Sequence, residues 1–220
     1  MSGQDRVPRA EDATEPERLA HLNGTVHVPR TRGDEDLEHR TEAYLDDLRD
    51  GLGNIGVADV TAALRRLDGL MRRGGTGYIM GNGGSASTAA HFVNDLTRAA
   101  LLGGRSSLRV FCLSDNVSTV TAVANDYGYE HIFTGQLRNL LAGSDLVIGI
   151  SARGNSPNVV DAVRFARSRG VDTLAFVGFD GGVLRRLADH VVHVPVHDVR
   201  QVEDLHLAVC HIISALLVEA

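Results

Sequence analysis

Between Gly77 and Val194 this 220-residue chain carries five short, mainly apolar runs, at 77–80, 108–113, 146–150, 173–177 and 191–194. None alternates polar with apolar residues, so each reads as a strand covered on both faces. Stretches of helical periodicity separate them, at about 85–101, 117–124, 130–142, 156–169, 182–187 and 199–218. Strands covered on both faces and joined through helices run parallel, because a helical crossover returns the chain to the same edge of the sheet. The sequence therefore predicts an α/β fold, a doubly wound five-stranded parallel sheet in flavodoxin-like order. Its ligand crevice is expected where the strand order reverses beside the first strand.

Two amphipathic helices are expected ahead of the sheet, within residues 37–73. Tyr44, Leu45 and Leu48 mark one apolar stripe, and Val57, Val60, Leu64, Leu67 and Met71 mark a second. Gly51, Gly53 and Gly56 are read as the break between them. Each stripe needs a cover, which is either a partner subunit or the chain's own sheet. Residues 1–36 are polar, rich in Arg, Glu, Asp, Pro and Gly, and lack periodicity. They are expected to form a mobile tail before a domain spanning 37–220.

Charge and composition remove several classes of function. A formal net charge of -6 gives no electrostatic footing for nucleic acid or an anionic membrane surface. Every basic side chain is Arg or His, so Schiff-base lysine chemistry is excluded. Cys112 and Cys210 form neither a disulfide framework nor a metal-binding CxxC clip, and they read as small apolar residues in a reducing cytoplasm. The N-terminus has no apolar signal-peptide core, and no run approaches the roughly 20 residues of a membrane span.

Two loops carry phosphate chemistry. After the first strand, Gly81-Asn82-Gly83-Gly84-Ser85-Ala86-Ser87 runs directly into a helix. Glycines let backbone approach an anion closely, and a helix N-terminus supplies unpaired N–H groups and a positive dipole end. After the third strand, Ser151-Ala152-Arg153-Gly154-Asn155-Ser156 opens another helix, with Pro157 in its first turn. In a flavodoxin-like order the first and third strands are neighbours, so both loops flank one crevice. Neither loop has dinucleotide GxGxxG spacing, and neither is a GK[ST] P-loop. A metal constellation is also present. His91 and Asp95, four residues apart, share one helix face, and the C-terminal helix offers Glu203, His206 and His211.

In order, the chain reads GNGGSAST, His91-Phe92, Ala124-Asn125-Asp126-Tyr127-Gly128-Tyr129, ISARGNSPNV and Gly178-Phe179-Asp180-Gly181-Gly182. From about residue 40 onward this series closely resembles the sugar isomerase (SIS) domain family, and within it the phosphoheptose isomerases. The resemblance implies an aldose–ketose isomerase that converts sedoheptulose 7-phosphate to a glycero-manno-heptose 7-phosphate through an enediol(ate). A related heptose or octose phosphate in specialised sugar biosynthesis is the variant of that reading. It also implies a homotetramer with N-terminal helices between subunits, and a zinc ion held by His91, Asp95, Glu203 and His211. Asp95 takes the base position and His211 the acid position. Asn82, Gly83, Gly84, Ser85, Asn125, Asp126, Ser151, Ala152, Arg153 and Ser156, together with Asp95 and Glu203, fall on substrate-binding positions.

Four of these positions depart from the usual family residues. Asp95 replaces Glu and Glu203 replaces Gln, while Ala152 and Arg153 stand where the loop usually has Thr and Ser. A base one methylene shorter displaces the carboxylate by about 1 Å, a misplacement that can cost ~100-fold in rate. Arg153 offers a charge-assisted fork in place of the lost hydroxyls. The alternative function is a non-catalytic SIS-domain scaffold that associates with the replication initiator DnaA. Joint retention of His91 and His211 favours the enzyme.

Overall fold

The computed structural model describes residues 34–102 and 108–219. Helix α1 (Asp34–Gly53) and helix α2 (Val57–Arg72) precede strand β1 (Thr76–Met80). There follow α3 (Gly84–Leu102), β2 (Arg109–Cys112), α4 (Val117–Tyr127), a 3-10 turn (Tyr129–His131) and α5 (Thr134–Leu140). The remainder is β3 (Leu146–Ser151), α6 (Pro157–Ser168), β4 (Asp172–Gly178), α7 (Leu184–Leu187), β5 (His190–Val194) and α8 (Val199–Glu219). The five strands pair in parallel in the order β2-β1-β3-β4-β5, the doubly wound arrangement expected of the apolar runs. Each expected strand appears within two residues of its sequence limits.

Both faces of the sheet are covered along β1, β3 and β4, whereas edge strand β2 departs from the expectation, burying Val110 and leaving Arg109 and Phe111 exposed. On one side Ala63, Leu67 and Leu70 of α2, Phe92 and Leu96 of α3, and Val209 and Ile213 of α8 bury Ile79, Ile148, Leu174 and Phe176. On the other, Val159 and Val163 of α6 pack with Phe133 and Leu137 over Met80 and Val147. Removing side chains of this size from water stabilises the fold by about 1.5–3 kcal/mol each. Gly149 on the central strand has no room for a Cβ, which would meet Val159 at 2.7 Å. The helix layer therefore lies close against β3.

Several expectations need correction. The tail assigned to residues 1–36 lies outside the described residues through 33, and at Asp34 the chain is already helical. Gly51 and Gly53 do not break a helix; they lie inside α1, and the interruption is confined to 54–56. Gly51 is small for packing, because a Cβ there would meet Leu205 of α8 at 2.7 Å. The stripe on α2 turns toward the protein's own sheet and α8, burying Val60, Ala63, Leu67 and Leu70. Val57, counted in that stripe, is 81% exposed, and Leu45 of the first stripe is 58% exposed. Finally, Val199–Val218 is long and apolar enough to cross a bilayer by length and composition alone, contrary to the sequence reading, yet half of it is buried inside this fold.

Helix α8 also buries His206 completely. Its ring packs edge-on against Phe176 with centroids 6.0 Å apart. Neither ring nitrogen has a hydrogen-bond partner, the Val177 backbone lying nearby but outside bonding geometry. Burial therefore pushes its pKa down from 6.5 to about 4. The folded protein refuses a proton that the unfolded chain accepts below about pH 6.5, so stability falls as the pH drops from there toward 4. His206 should account for a loss of about 2 kcal/mol between pH 7 and pH 5. Urea unfolding at the two pH values checks this, and His206→Leu should shrink the difference by that amount.

Candidate active site

The site is assembled by three consequences of the topology. Because β1 and β3 are neighbours, the loops that follow them open side by side. The first loop bends sharply into α3. Gly81 carries no side chain because a Cβ would meet Ser85 Cβ at 2.8 Å, and this close approach leaves Ser85 almost fully buried. Gly83 adopts the left-handed region at φ 54°, which costs glycine least. At the start of α3 the N–H groups of Gly84 and Ser85 have no helical acceptor to their N-terminal side, which is the arrangement that receives anions.

The second loop is shaped by contacts across β4. Gly154 has φ 66°, and a Cβ on it would run into the Gly181 carbonyl. Its carbonyl accepts from Leu184 N–H at 3.0 Å, while Asn155 Oδ1 accepts from Val183 N–H at 2.9 Å. The Gly178–Gly182 turn therefore braces the loop from behind. Ser156 is the N-cap residue of α6 but makes no side-chain cap; its Oγ instead lies 3.1 Å from Ser151 Oγ. Two hydroxyls are thereby held as a pair at the mouth of the crevice. The Ala152 carbonyl accepts from Gly178 N–H at 2.7 Å, which ties the loop to β4. Arg153 is exposed, and its guanidinium lies over the Phe179 ring, 5.0 Å from the centroid. Phe179 has a positive φ of 50°, the one such value among the described non-glycine residues.

The third consequence is the packing of α3 against α8. It brings His91, Asp95 and His211 together, with one potential ligand atom from each within 4.8 Å of the others. Asp95 Oδ2 lies 3.3 Å from His91 Nε2 and 3.5 Å from His211 Nε2, and the two ring nitrogens are 3.1 Å apart. Two imidazoles and a carboxylate suit zinc, and three protein ligands leave a coordination position for substrate or water. Glu203, the fourth residue implied, does not join the cluster. Its carboxylate lies directly over Gly84, where a side chain on that glycine would collide with it. Desolvation, and then the neighbouring Asp204 charge, raise the pKa of Glu203 above the usual carboxylate range.

The structure does not bring Asn125 and Asp126 onto the two loops. They lie on the exposed end of α4, where Asn125 Nδ2 donates to Asp126 Oδ1 at 2.8 Å. Tyr129, just beyond them, does reach the first loop by donating to Asn82 Oδ1 at 2.9 Å. Asn82 also forms a reciprocal amide pair with the fully buried Asn158. Sequence reasoning assigned neither Tyr129 nor Asn158 to the site, although both stand inside motifs it singled out.

Comparisons with known proteins agree with this fold. Residues 43–178 match the family model for the SIS domain. A phosphoheptose isomerase of Trichlorobacter lovleyi is 39% identical over 160 residues, covering 73% of this chain and 81% of that protein. One from Helicobacter pylori is 44% identical over 135 residues, 61% of this chain and 70% of that protein. The structure of phosphoheptose isomerase from Neisseria gonorrhoeae superposes with a TM-score of 0.77 at 28% identity, covering 84% of this chain and all of that one.

The bracing of the second loop is testable. Gly154→Ala forces a side chain into the left-handed region, at about 1–2 kcal/mol, and pushes it against the Gly181 carbonyl. Urea unfolding should show at least that loss of stability, and calorimetric titration should show weakened binding of inorganic phosphate. Wild-type values in both would mean that the turn does not shape the loop.

Proposed function

The chain belongs to the SIS domain family, and from that membership we propose that it is an aldose–ketose isomerase of a phosphorylated sugar, with sedoheptulose 7-phosphate as substrate and a glycero-manno-heptose 7-phosphate as product. The observation that carries this reading is the Asp95 carboxylate set between two imidazoles, on the helix that begins at the phosphate loop. The non-catalytic scaffold would have no use for that cluster.

In this reading the phosphate is received by the N–H groups opening α3, by Ser85, and by the Ser151–Ser156 hydroxyl pair. Arg153, at the rim of the same loop, adds a charge-assisted contact. Asn125 and Asp126, at the exposed end of α4 just before Tyr129, are assigned to the part of the sugar that extends beyond the two loops. With the phosphate anchored, the carbonyl end of the ketose reaches toward Asp95. The Asp95 carboxylate takes the proton from C1, and the C1–H electron pair forms the C1=C2 double bond of an enediolate whose charge rests on O2. His211 moves the hydroxyl proton from O1 to O2, and Asp95 returns its proton to C2. The aldehyde forms at C1 with no net gain or loss of atoms. Anchoring the ketose in reach of both groups supplies much of the rate by converting encounter into orientation.

We assign a divalent cation, zinc by its donor set, to His91, Asp95 and His211, with Glu203 as a fourth ligand if its carboxylate leaves Gly84. When bound, such an ion supplies Lewis-acid polarisation of the substrate carbonyl. A cation on Asp95 also lowers its basicity, so the two roles of that residue oppose each other. The protein is further assigned to the cytoplasm, a reading supported by Cys112 and Cys210, both free thiols. It is assigned to a homotetramer, supported by Leu45, Leu52, Leu101, Leu102, Ile212 and Leu216, all large apolar side chains exposed on the single chain.

Following aldose formation from sedoheptulose 7-phosphate by NMR tests the reaction. Asp95→Asn and His211→Ala should each lose at least ~100-fold in kcat, the lower end for a missing acid or base. Full activity in either variant would remove its assigned role. Metal content by mass spectrometry tests the ion separately: zinc should accompany the wild type and fall away in His91→Ala.

Assembly is tested by light scattering at micromolar concentration, which should return the mass of four chains. A monomer would refute the assignment.

A further inference from the structure

A chain of hydrogen bonds with a fixed direction runs from the backbone of α6 to the first phosphate loop. It begins at the N–H of Val159, which can only donate, so the Asn158 atom 2.9 Å away is its side-chain oxygen. That settles which end of the Asn158 amide is which. The same oxygen accepts from Asn82 Nδ2 at 2.8 Å, and Asn158 Nδ2 donates back to Asn82 Oδ1 at 2.9 Å. The Tyr129 hydroxyl, 2.9 Å from Asn82 Oδ1, must then be a donor too. Asn82 Oδ1 thus accepts two hydrogen bonds, which fills both its lone pairs, while its nitrogen has given one proton of two.

The consequence is chemical. Asn82 stands between Gly81 and Gly83 on the loop that leads to α3, and its amide has only a donor left for a ligand. Turning the amide over would set its nitrogen against Asn158 Nδ2 and its oxygen against Asn158 Oδ1, losing both bonds of the amide pair. A group restricted to donating selects an acceptor, and during the proposed isomerisation the acceptor that strengthens is the substrate oxygen gaining negative charge. Asn158 has no solvent exposure, so whatever it contributes passes through Asn82. Tyr129 is 54% exposed as a residue, and its hydroxyl ties the segment after α4 to the same amide.

We propose that Asn158 and Tyr129 are positioning residues that hold Asn82 as a donor toward the enediolate oxygen, an assignment that rests on the isomerase reading above. The experiment compares two probes of equal chain length: a sugar-phosphate hydroxamate, which mimics the enediolate, and the corresponding alditol phosphate, which carries no such charge. Inorganic phosphate serves as the control for loop integrity. Wild-type protein should prefer the hydroxamate. Asn158→Asp places a carboxylate oxygen against Asn82 Oδ1, and it should cut that preference and kcat by about tenfold or more, with KM and phosphate affinity within about twofold of wild type.

Tyr129→Phe, which removes one hydroxyl from an exposed residue, should move the same quantities in the same direction by a smaller factor. It carries the test alone if Asn158→Asp fails to fold. Unchanged preference and kcat in the folded variants would overturn the assignment. A matching loss of phosphate affinity would overturn it as well, since the network would then only build the loop. Wild-type protein that neither turns over substrate nor discriminates between the probes would refute the isomerase reading itself, a result distinct from either of those.

Discussion

Parallel pairing of β1 with β3 is the constraint on which the site depends. Gly77 to Met80 lie in register with Leu146 to Gly149, so the two strands end at the same edge and release their loops into one crevice. Had β2 been inserted between them, the second loop would sit a further strand spacing away, about 4.8 Å, beyond reach of the first. The Asn82–Asn158 amide pair, spanning 76 residues of sequence, is the direct product of this adjacency. So is the opening of α3 and α6 toward the same space.

The second determinant is the packing of α3 on α8. Phe92 and Phe176 meet edge-on at 6.0 Å, and Phe176 meets His206 at the same separation. This aromatic column sets how deeply α8 lies on β4 and α3. One residue before Phe92 on α3, and one after the buried Cys210 on α8, the chain presents His91 and His211 to each other. The cluster therefore stands at the edge of a hydrophobic contact. Its imidazoles are exposed while Asp95 between them is partly buried, a gradient that keeps the carboxylate placed and the rings accessible.

How much of this could be read from the sequence follows from the range of the interactions. The inner strands were legible because strands covered on both faces need continuous apolar runs, as in β3 and β4. His91 and Asp95 were legible from four-residue spacing on one helix. His211 lies 120 residues from His91, and only the family resemblance joined them. Gly51 misled because a glycine that permits close packing and one that ends a helix look the same in sequence; Leu205 decides between them. Val57 misled because the second stripe was counted one position too far toward the N-terminus, beyond the part of α2 that reaches the sheet. Tyr129 and Asn158 could not be assigned, since an amide pair needs its partner's position and polarity, and periodicity carries neither.

The departures from the usual family residues become coherent when charge and reach are considered together. A shorter acid at position 95 need not forfeit its role, because Asp95 Oδ2 already lies within 3.5 Å of both imidazoles. Glu203 is the larger change. A carboxylate replaces a neutral amide, and it rests over Gly84 at the positive end of α3, the place best suited to an anion. It is partly desolvated there, which raises its pKa and makes ionisation costlier. An incoming sugar phosphate would meet its negative charge at the same helix end.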